Sequence, residues 1–242
     1  MRQEASANHL FTYLHWRGDL SFSQAPFCAV DNLIFCCLSY LNWGEPASGL
    51  LPEQAISLKD AAAYWLHLPE TLRKVRVPQD ITLLQSTANS VRFGNVRLFR
   101  YVESFQEEQE QQFSATAFLL DADTAYIAFR GTDNTLIGWK EDFNMSFQSE
   151  VPSQTAAASY LQDFSSLPIP HLLVGGHSKG GNLAVFASVT APPSLQARIR
   201  AVYNNDGPGF CSDILHSAAY LQLQNRVHTV VPEMSIVGML LE

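Results

Sequence analysis

The sequence predicts an α/β protein in which a mostly parallel β-sheet has an antiparallel edge and follows a helical N-terminal region. Three observations support this prediction. Residues 1–90 carry apolar side chains at helical spacing, and residues from Val91 onward alternate with the period of two that is typical of strands. Residues 171–189 have the pattern of a strand, a glycine-rich turn and a helix. We expect one domain over residues 1–242, with a helical part over 1–90 and a sheet core over 91–242.

Helix signals fill the N-terminal region. Apolar side chains in residues 31–41 recur at a spacing that places them on one face of a helix. Residues 57–60, Ser-Leu-Lys-Asp, resemble a capping box that opens a helix over residues 61–66. Asp80 can cap a further helix over residues 81–89.

Strand signals dominate the remainder of the chain. Residues 106–112, all Gln and Glu, form a solvated hairpin tip after the first long strand. The strands predicted after this tip are residues 113–120, 124–129, 172–174, 199–204 and 226–231. Because an antiparallel start gives way to strands that alternate with helices, most of the sheet is predicted to be parallel.

Three polar residues, Thr132, Ser178 and Asp206, fall at or just beyond the ends of predicted strands. Active sites on open parallel sheets lie beyond the carboxyl ends of the strands. We therefore expect these three residues to meet at one edge of the sheet. A plain structural domain would not explain this convergence.

The stretch Gly176-His177-Ser178-Lys179-Gly180 fits G-x-S-x-G, the pattern of a serine held on a sharp strand-to-helix turn. Its glycines let strand and helix approach closely, and the helix N-terminus directs free N–H groups toward the serine. The backbone N–H of Lys179 supplies one donor for an oxyanion, and a second is expected from residues 128–132. A glycine-rich turn with an incidental serine is the alternative. The phosphate-loop pattern G-x-x-x-x-G-K-[ST] is not present.

Composition and charge argue against several classes of function. The formal net charge of −8, without a basic cluster, argues against nucleic acid and anionic membranes as main partners. No signal peptide is evident, and the richest apolar stretch, residues 27–41, is too short to span a bilayer. The four cysteines match neither a zinc pattern nor a disulfide framework. We expect reduced thiols, a cytoplasmic location, no metal and no cofactor.

The chain resembles the class 3 lipases, which are α/β-hydrolases, and is more closely similar to a bacterial lipase-like family of unknown function. The motif pattern consists of FRGT at residues 129–132, then Trp139 and Asp142, then GHSKGG at residues 176–181. The longer matching segments are YLHWRGDLSF, FCAVDNLIFCCLSYL, FRGTDNTLIGWKEDFNMSF, GHSKGGNLAVFAS, YNNDGPGF and VPEMSIVGMLL. The resemblance covers nearly the whole chain and implies an α/β-hydrolase-like fold.

The resemblance assigns a role to each matching residue. It makes Ser178 the nucleophile and Thr132 an oxyanion donor, through its backbone and hydroxyl, beside the N–H of Lys179. It makes Asp142 the carboxylate that holds the Thr132 loop. Lys179 stands where the lipases usually have leucine, and its ammonium would favour an anionic or polar substrate. His177 is expected to support the elbow, with its side chain directed away from the nucleophile.

The acid is predicted to be Asp206, with Glu233 as the second candidate. In class 3 lipases the acid follows the next-to-last strand, where this chain has residues 232–237 without an aspartate. The alternative for Asp206 is that it only caps a Gly-Pro-Gly turn.

The general base has two candidates within the sequence. The order Ser, acid, His of α/β-hydrolases leaves only His216 and His228. His228 lies in a predicted strand and His216 in a predicted helix. Because relatives usually continue past the point at which this chain stops, we expect the usual histidine segment to be missing from the sequence.

These expectations support two functions of different classes. The first is a serine hydrolase that cleaves an ester or thioester through an acyl-enzyme on Ser178. Its substrate would be a small-molecule ester or lipid-like compound more polar than triglyceride, since no long amphipathic lid is evident. The second is a catalytically weak or inactive hydrolase-fold protein with a binding or regulatory role, which the missing histidine favours. The sequence leaves the oligomeric state open.

Overall fold

The computed structural model describes residues 10–106, 111–132, 150–210, 212–233 and 235. Its strands are β1 (Ile56–Ser57), β2 (Arg97–Gln106), β3 (Gln111–Leu119), β4 (Thr124–Phe129), β5 (His171–His177), β6 (Ile199–Asn205) and β7 (Val227–Val230). Its helices are α1 (Leu10–Arg17), α2 (Ala29–Leu38), α3 (Leu58–His67), α4 (Gln79–Ala88), α5 (Pro152–Gln162), α6 (Lys179–Thr190), α7 (Pro193–Gln196), α8 (Ser212–Leu215) and α9 (Ala218–Leu223).

The described strands form one sheet in which spatial order follows chain order, β1 to β7. The pairings from β1 to β4 are antiparallel, and those from β4 to β7 are parallel. The predicted α/β class, with a parallel part and an antiparallel part, is confirmed. The antiparallel edge comprises the β1–β2, β2–β3 and β3–β4 pairings, and the β2–β3 pairing contains a register shift between Phe99 and Val102.

Helices cover both faces of the sheet. Successive strand residues point to opposite faces, and buried apolar side chains from the strands pack against helices on each face. Ile127 and Val174 pack in the hydrophobic cluster that includes α5 and α6, whereas their neighbour Tyr126 packs against the N-terminal helices. On that second face Phe35 of α2 stacks on Tyr126 with ring centroids 5.2 Å apart. α6 therefore packs in one layer, and α2 lies in the other.

The predicted N-terminal helices are confirmed, with one difference in capping. Ser57 caps α3 by accepting a hydrogen bond from the Asp60 N–H at 3.1 Å, as the capping box predicts. Asp80 lies inside α4, and its carboxylate accepts from the N–H groups of Arg76 and Val77. It holds the segment before the helix, because its side chain turns back to donors three and four residues earlier. Among the described residues, no helix has the length and apolar character needed to cross a membrane.

A buried ion pair fixes α2 to the polypeptide that surrounds it. Arg92 donates to the Asp31 carboxylate from Nε at 2.7 Å and from Nη2 at 2.6 Å, and both side chains are almost fully buried. The Tyr13 hydroxyl donates to the same carboxylate at 2.9 Å. Arg92 Nη1 also donates to the carbonyls of Leu20 and Ala25, both at 3.0 Å. One guanidinium thus ties the loop after α1 to the first turn of α2.

We expect Arg92→Leu to lower the free energy of unfolding by about 3–5 kcal/mol, because it leaves the buried Asp31 carboxylate without its cation. Urea denaturation of both proteins measures the difference. Arg97→Leu, at an exposed position of β2, is the control and should change the free energy by no more than about 0.5 kcal/mol. A loss below about 1 kcal/mol in Arg92→Leu would contradict the prediction.

Candidate active site

Ser178 occupies a strained backbone conformation between β5 and α6. β5 ends at His177, α6 begins at Lys179, and Ser178 between them has φ 56° and ψ −131°. A positive φ costs a residue with a side chain about 1–3 kcal/mol and persists only where the surroundings enforce it. The predicted strand, sharp turn and helix are therefore present, with a half-buried serine at the apex.

The end of β4 lies directly against this turn. A Cβ atom on Gly180 would stand 2.1 Å from the carbonyl oxygen of Phe129, so only glycine permits the start of α6 to approach β4. A Cβ atom on Gly131 would stand 3.3 Å from the Ser178 Cβ. The strand end that carries Thr132 is thus beside Ser178. Thr132 itself is half-buried. Asp142, predicted to hold this loop, lies outside the described residues.

The turn after β6 brings Asp206 to the same edge. A Cβ atom on Gly207 would stand 2.8 Å from the Ser178 carbonyl oxygen, so this turn contacts the elbow. Asp206 has φ 58°, and its N–H donates to the Val230 carbonyl of β7 at 2.8 Å. The Gly207 N–H is capped by Asn204 Oδ1 at 3.0 Å. Asn204 thus caps the Gly207 N–H of this turn, and the carboxylate of Asp206 accepts a hydrogen bond from Ser235 Oγ.

The side chain of Lys179 differs from the sequence-based expectation. The resemblance to the lipases implies an ammonium that favours an anionic or polar substrate. In the structure Lys179 is 1% exposed, and Nζ donates to the carbonyl of Gln112 in β3 at 2.8 Å. The side chain reaches from α6 to β3, and the carbonyl it meets there offsets the cost of burying the ammonium. Its backbone N–H is at the first position of α6, next to Ser178.

Three described histidines, His177, His216 and His228, bear on a triad with Ser178. His177 Nδ1 is 2.9 Å from the Tyr40 hydroxyl. His228 stacks on Tyr203 with ring centroids 5.2 Å apart. The sheet register aligns His228 with Tyr203 and Gly175, so its Cα is about 10 Å behind Ser178 along the strands and about 10 Å across the sheet. His216 is exposed in the turn after α8. No hydrogen bond joins a histidine to Ser178 Oγ within the part of the chain that the structure describes.

Burial lowers the pKa of His177 below its ordinary value, and the Arg76 guanidinium lowers it further. The negative charge of Asp206 acts in the opposite direction without reversing the shift. The imidazole is therefore neutral at pH 7. This favours a structural hydrogen bond with Tyr40 over a role as a cation.

Sequence reasoning missed a buried amide network beneath the elbow. Asn205 donates from Nδ2 to the Gly176 carbonyl at 2.9 Å, and its own backbone carbonyl accepts from the Ser178 N–H at 2.8 Å. The Asn205 and Asn32 amides also bond to each other, and the Tyr126 hydroxyl donates to Asn32 Oδ1 at 2.7 Å. The available signal was the polar Asn32 within an apolar helix pattern, because a buried amide needs hydrogen-bond partners.

The family described as Mbeg1-like matches residues 87–242, which includes the sheet core and every strand of the elbow region. The chain belongs to the Mbeg1-like family. No curated protein matches this Mbeg1-like chain. Among solved structures it is similar to one described as the crystal structure of M37 lipase, at 15% identity and a TM-score of 0.48. That similarity covers 85% of this chain and 67% of the other.

We expect Asn205→Ala to lower the free energy of unfolding by about 1–3 kcal/mol, since it removes partners from buried amide and carbonyl groups. Hydrogen–deuterium exchange of residues 176–181 should accelerate at the same time, because the network holds the elbow. Asn89→Ala is the control at an exposed amide that donates to the Gln85 carbonyl. Equal exchange in Asn205→Ala and the wild-type Mbeg1-like protein would contradict a holding role.

We expect the stability advantage of wild type over His177→Gln to be complete above about pH 6.5 and to shrink as the pH falls below it. The folded state resists protonation of His177, whereas the unfolded chain accepts the proton at the ordinary pKa, so acid favours unfolding of wild type. Urea denaturation of both proteins between pH 5 and 8 measures the difference. An advantage that grows at low pH would contradict the sign of the shift.

Proposed function

We propose that the chain is a serine hydrolase that cleaves a carboxylic ester or thioester through an acyl-enzyme on Ser178. The observation that carries this proposal is the strained backbone of Ser178, with φ 56°, between β5 and the N-terminus of α6. Strain of this kind on a residue other than glycine is concentrated at functional sites. If the serine were incidental, glycine would be expected at the apex, because glycine adopts a positive φ without strain. In this turn the glycines flank the apex, and the serine itself has the positive φ.

The proposed reaction begins when Ser178 Oγ attacks the acyl carbon and passes its proton to a general base. The tetrahedral intermediate places a negative charge on the former carbonyl oxygen. The N–H of Lys179, at the start of α6, would donate to it together with Thr132 of the adjacent strand end. The leaving alcohol or thiol takes the proton, and water then releases the acid and restores the serine.

Asp206 is the proposed acid. Its turn contacts the elbow, and its charge already acts on the neighbouring His177. Glu233 is exposed and stays the second candidate. Asp142 keeps its proposed role in holding the Thr132 loop. The separation between His228 and Ser178 argues against His228 as the general base. His216 is therefore the described histidine to test as the base.

An inactive or weakly active hydrolase-fold protein that binds a ligand is the second candidate function. One observation favours it. Among the described residues, no histidine is hydrogen-bonded to Ser178 Oγ, and an unactivated hydroxyl is a poor nucleophile. Catalytic hydrogen bonds are often longer before substrate binds, so reactivity rather than static distance distinguishes the two functions.

The test is hydrolysis of p-nitrophenyl butyrate by wild type, Ser178→Ala and His228→Ala, together with labelling by a fluorophosphonate. We expect the label on Ser178 and a loss of at least about 10³-fold in kcat/KM for Ser178→Ala. His228→Ala is the matched control and should retain activity, because its ring packs on Tyr203 away from the elbow. Thermal unfolding of each variant checks that the fold is retained.

Two results separate the candidate functions. Labelling and hydrolysis that both disappear in Ser178→Ala support the hydrolase. A comparable loss of hydrolysis in His216→Ala, relative to wild type, would identify His216 as the base. A folded wild-type protein that neither hydrolyses the ester nor takes the label would overturn the hydrolase and support the binding function.

A further inference from the structure

A cavity of about 410 Å³ lies on the N-terminal side of the sheet, among α1, α2, α4 and the segment before α4. Its volume is within the range typical of sites for small molecules. Most of its wall is formed by hydrophobic side chains and a thiol: Leu10, Phe11, Cys37, Val77 and Leu83. An apolar wall of this kind fits an alkyl chain.

The polar part of the wall carries one available positive charge. Arg76 lines the cavity with Gln79 and Asp80. The Asp80 carboxylate accepts hydrogen bonds from the backbone N–H groups of Arg76 and Val77 at 2.9 and 3.0 Å, so these donors offset its charge. The guanidinium of Arg76 forms no ion pair within the described part of the chain, where the paired cations are Lys74, Arg92, Arg100 and Arg130.

The ring of Tyr40 orients this guanidinium. Arg76 Cζ lies 5.1 Å from the centroid of the Tyr40 ring. A guanidinium stacked on an aromatic face keeps its N–H groups free at the rim for a planar acceptor such as a carboxylate. The Tyr40 hydroxyl on the other side bonds to His177 Nδ1, next to Ser178. Tyr40 thus contacts both Arg76 of the cavity wall and His177 of the candidate active site.

We propose that this cavity binds an amphipathic monocarboxylate, with its alkyl chain against the apolar wall and its carboxylate on the Arg76 guanidinium. Charge and shape both select this class, because a neutral chain leaves the cation unpaired and a small anion leaves the apolar wall empty. Such acids are also products of the cleavage proposed above. That link rests on the proposed function, whereas the binding does not.

The test is isothermal titration calorimetry with octanoate, 1-octanol and acetate, on wild type and on Ser178→Ala. Octanoate is expected to bind both proteins with one site, and 1-octanol and acetate at least about tenfold more weakly. Arg76→Gln should weaken octanoate binding about tenfold or more, as expected for loss of a charged hydrogen-bond donor. Arg97→Gln, at an exposed arginine on β2 outside the cavity, is the matched control and should bind as wild type does.

A second measurement locates the ligand without relying on a substitution of Arg76. Cys37 lines the cavity, and Cys28 is a half-buried thiol outside its lining. Saturating octanoate should slow the alkylation of Cys37 by iodoacetamide at least about threefold and leave Cys28 unchanged, as read by peptide mass spectrometry. Absence of saturable octanoate binding, equal binding of 1-octanol, equal binding by Arg76→Gln, or no protection of Cys37 would each overturn the proposal. Binding without esterase activity would support this cavity and refute only the hydrolase.

Discussion

The candidate site at the carboxyl edge of the sheet depends on the backbone of Ser178, which neighbouring residues hold at a positive φ of 56°. The strain is balanced by bonds from two directions. Asn205 of β6 accepts from the Ser178 N–H and donates to the Gly176 carbonyl, and Ser178 O accepts from the Gly181 N–H. Because Asn205 is bonded in turn to Asn32 of α2, the elbow is anchored to the N-terminal layer as well as to the sheet. The helical first part of the chain is therefore a structural component of the candidate site.

Turns from distant parts of the sequence meet at this edge of the sheet. Gly131 after β4, Gly180 in α6 and Gly207 after β6 each lie where a Cβ would collide with a neighbouring segment. These close approaches bring the three turns together, and the antiparallel strands hold them from one side through the bond between Lys179 Nζ and the Gln112 carbonyl. Tyr40, in the turn after α2, joins the arrangement by contacting both His177 beside Ser178 and Arg76 of the cavity wall.

Much of the fold could be predicted because its signals are local. The capping pattern at Ser57, the alternation in β3 and β4, and the glycine-rich turn around Ser178 each depend on residues close in sequence. The Asp31–Arg92 pair and the Asn32–Asn205 pair could not be predicted this way. The residues of the first pair are 61 positions apart and those of the second pair are 173 positions apart. The sequence around one partner therefore gives no indication of the other.

The sequence by itself determined the α/β class, the order of the elements and the serine at the apex of the elbow, because steric and periodic constraints act over a few residues. Only the tertiary structure decided where long side chains and turn residues point. It directs the Lys179 ammonium into the sheet, puts Asn204 rather than Asp206 on the Gly207 N–H, and stacks His228 on Tyr203. The Lys179 and His228 contacts follow from which elements are neighbours in the sheet and in which register they lie, whereas the Asn204 bond follows from the geometry of the turn after β6.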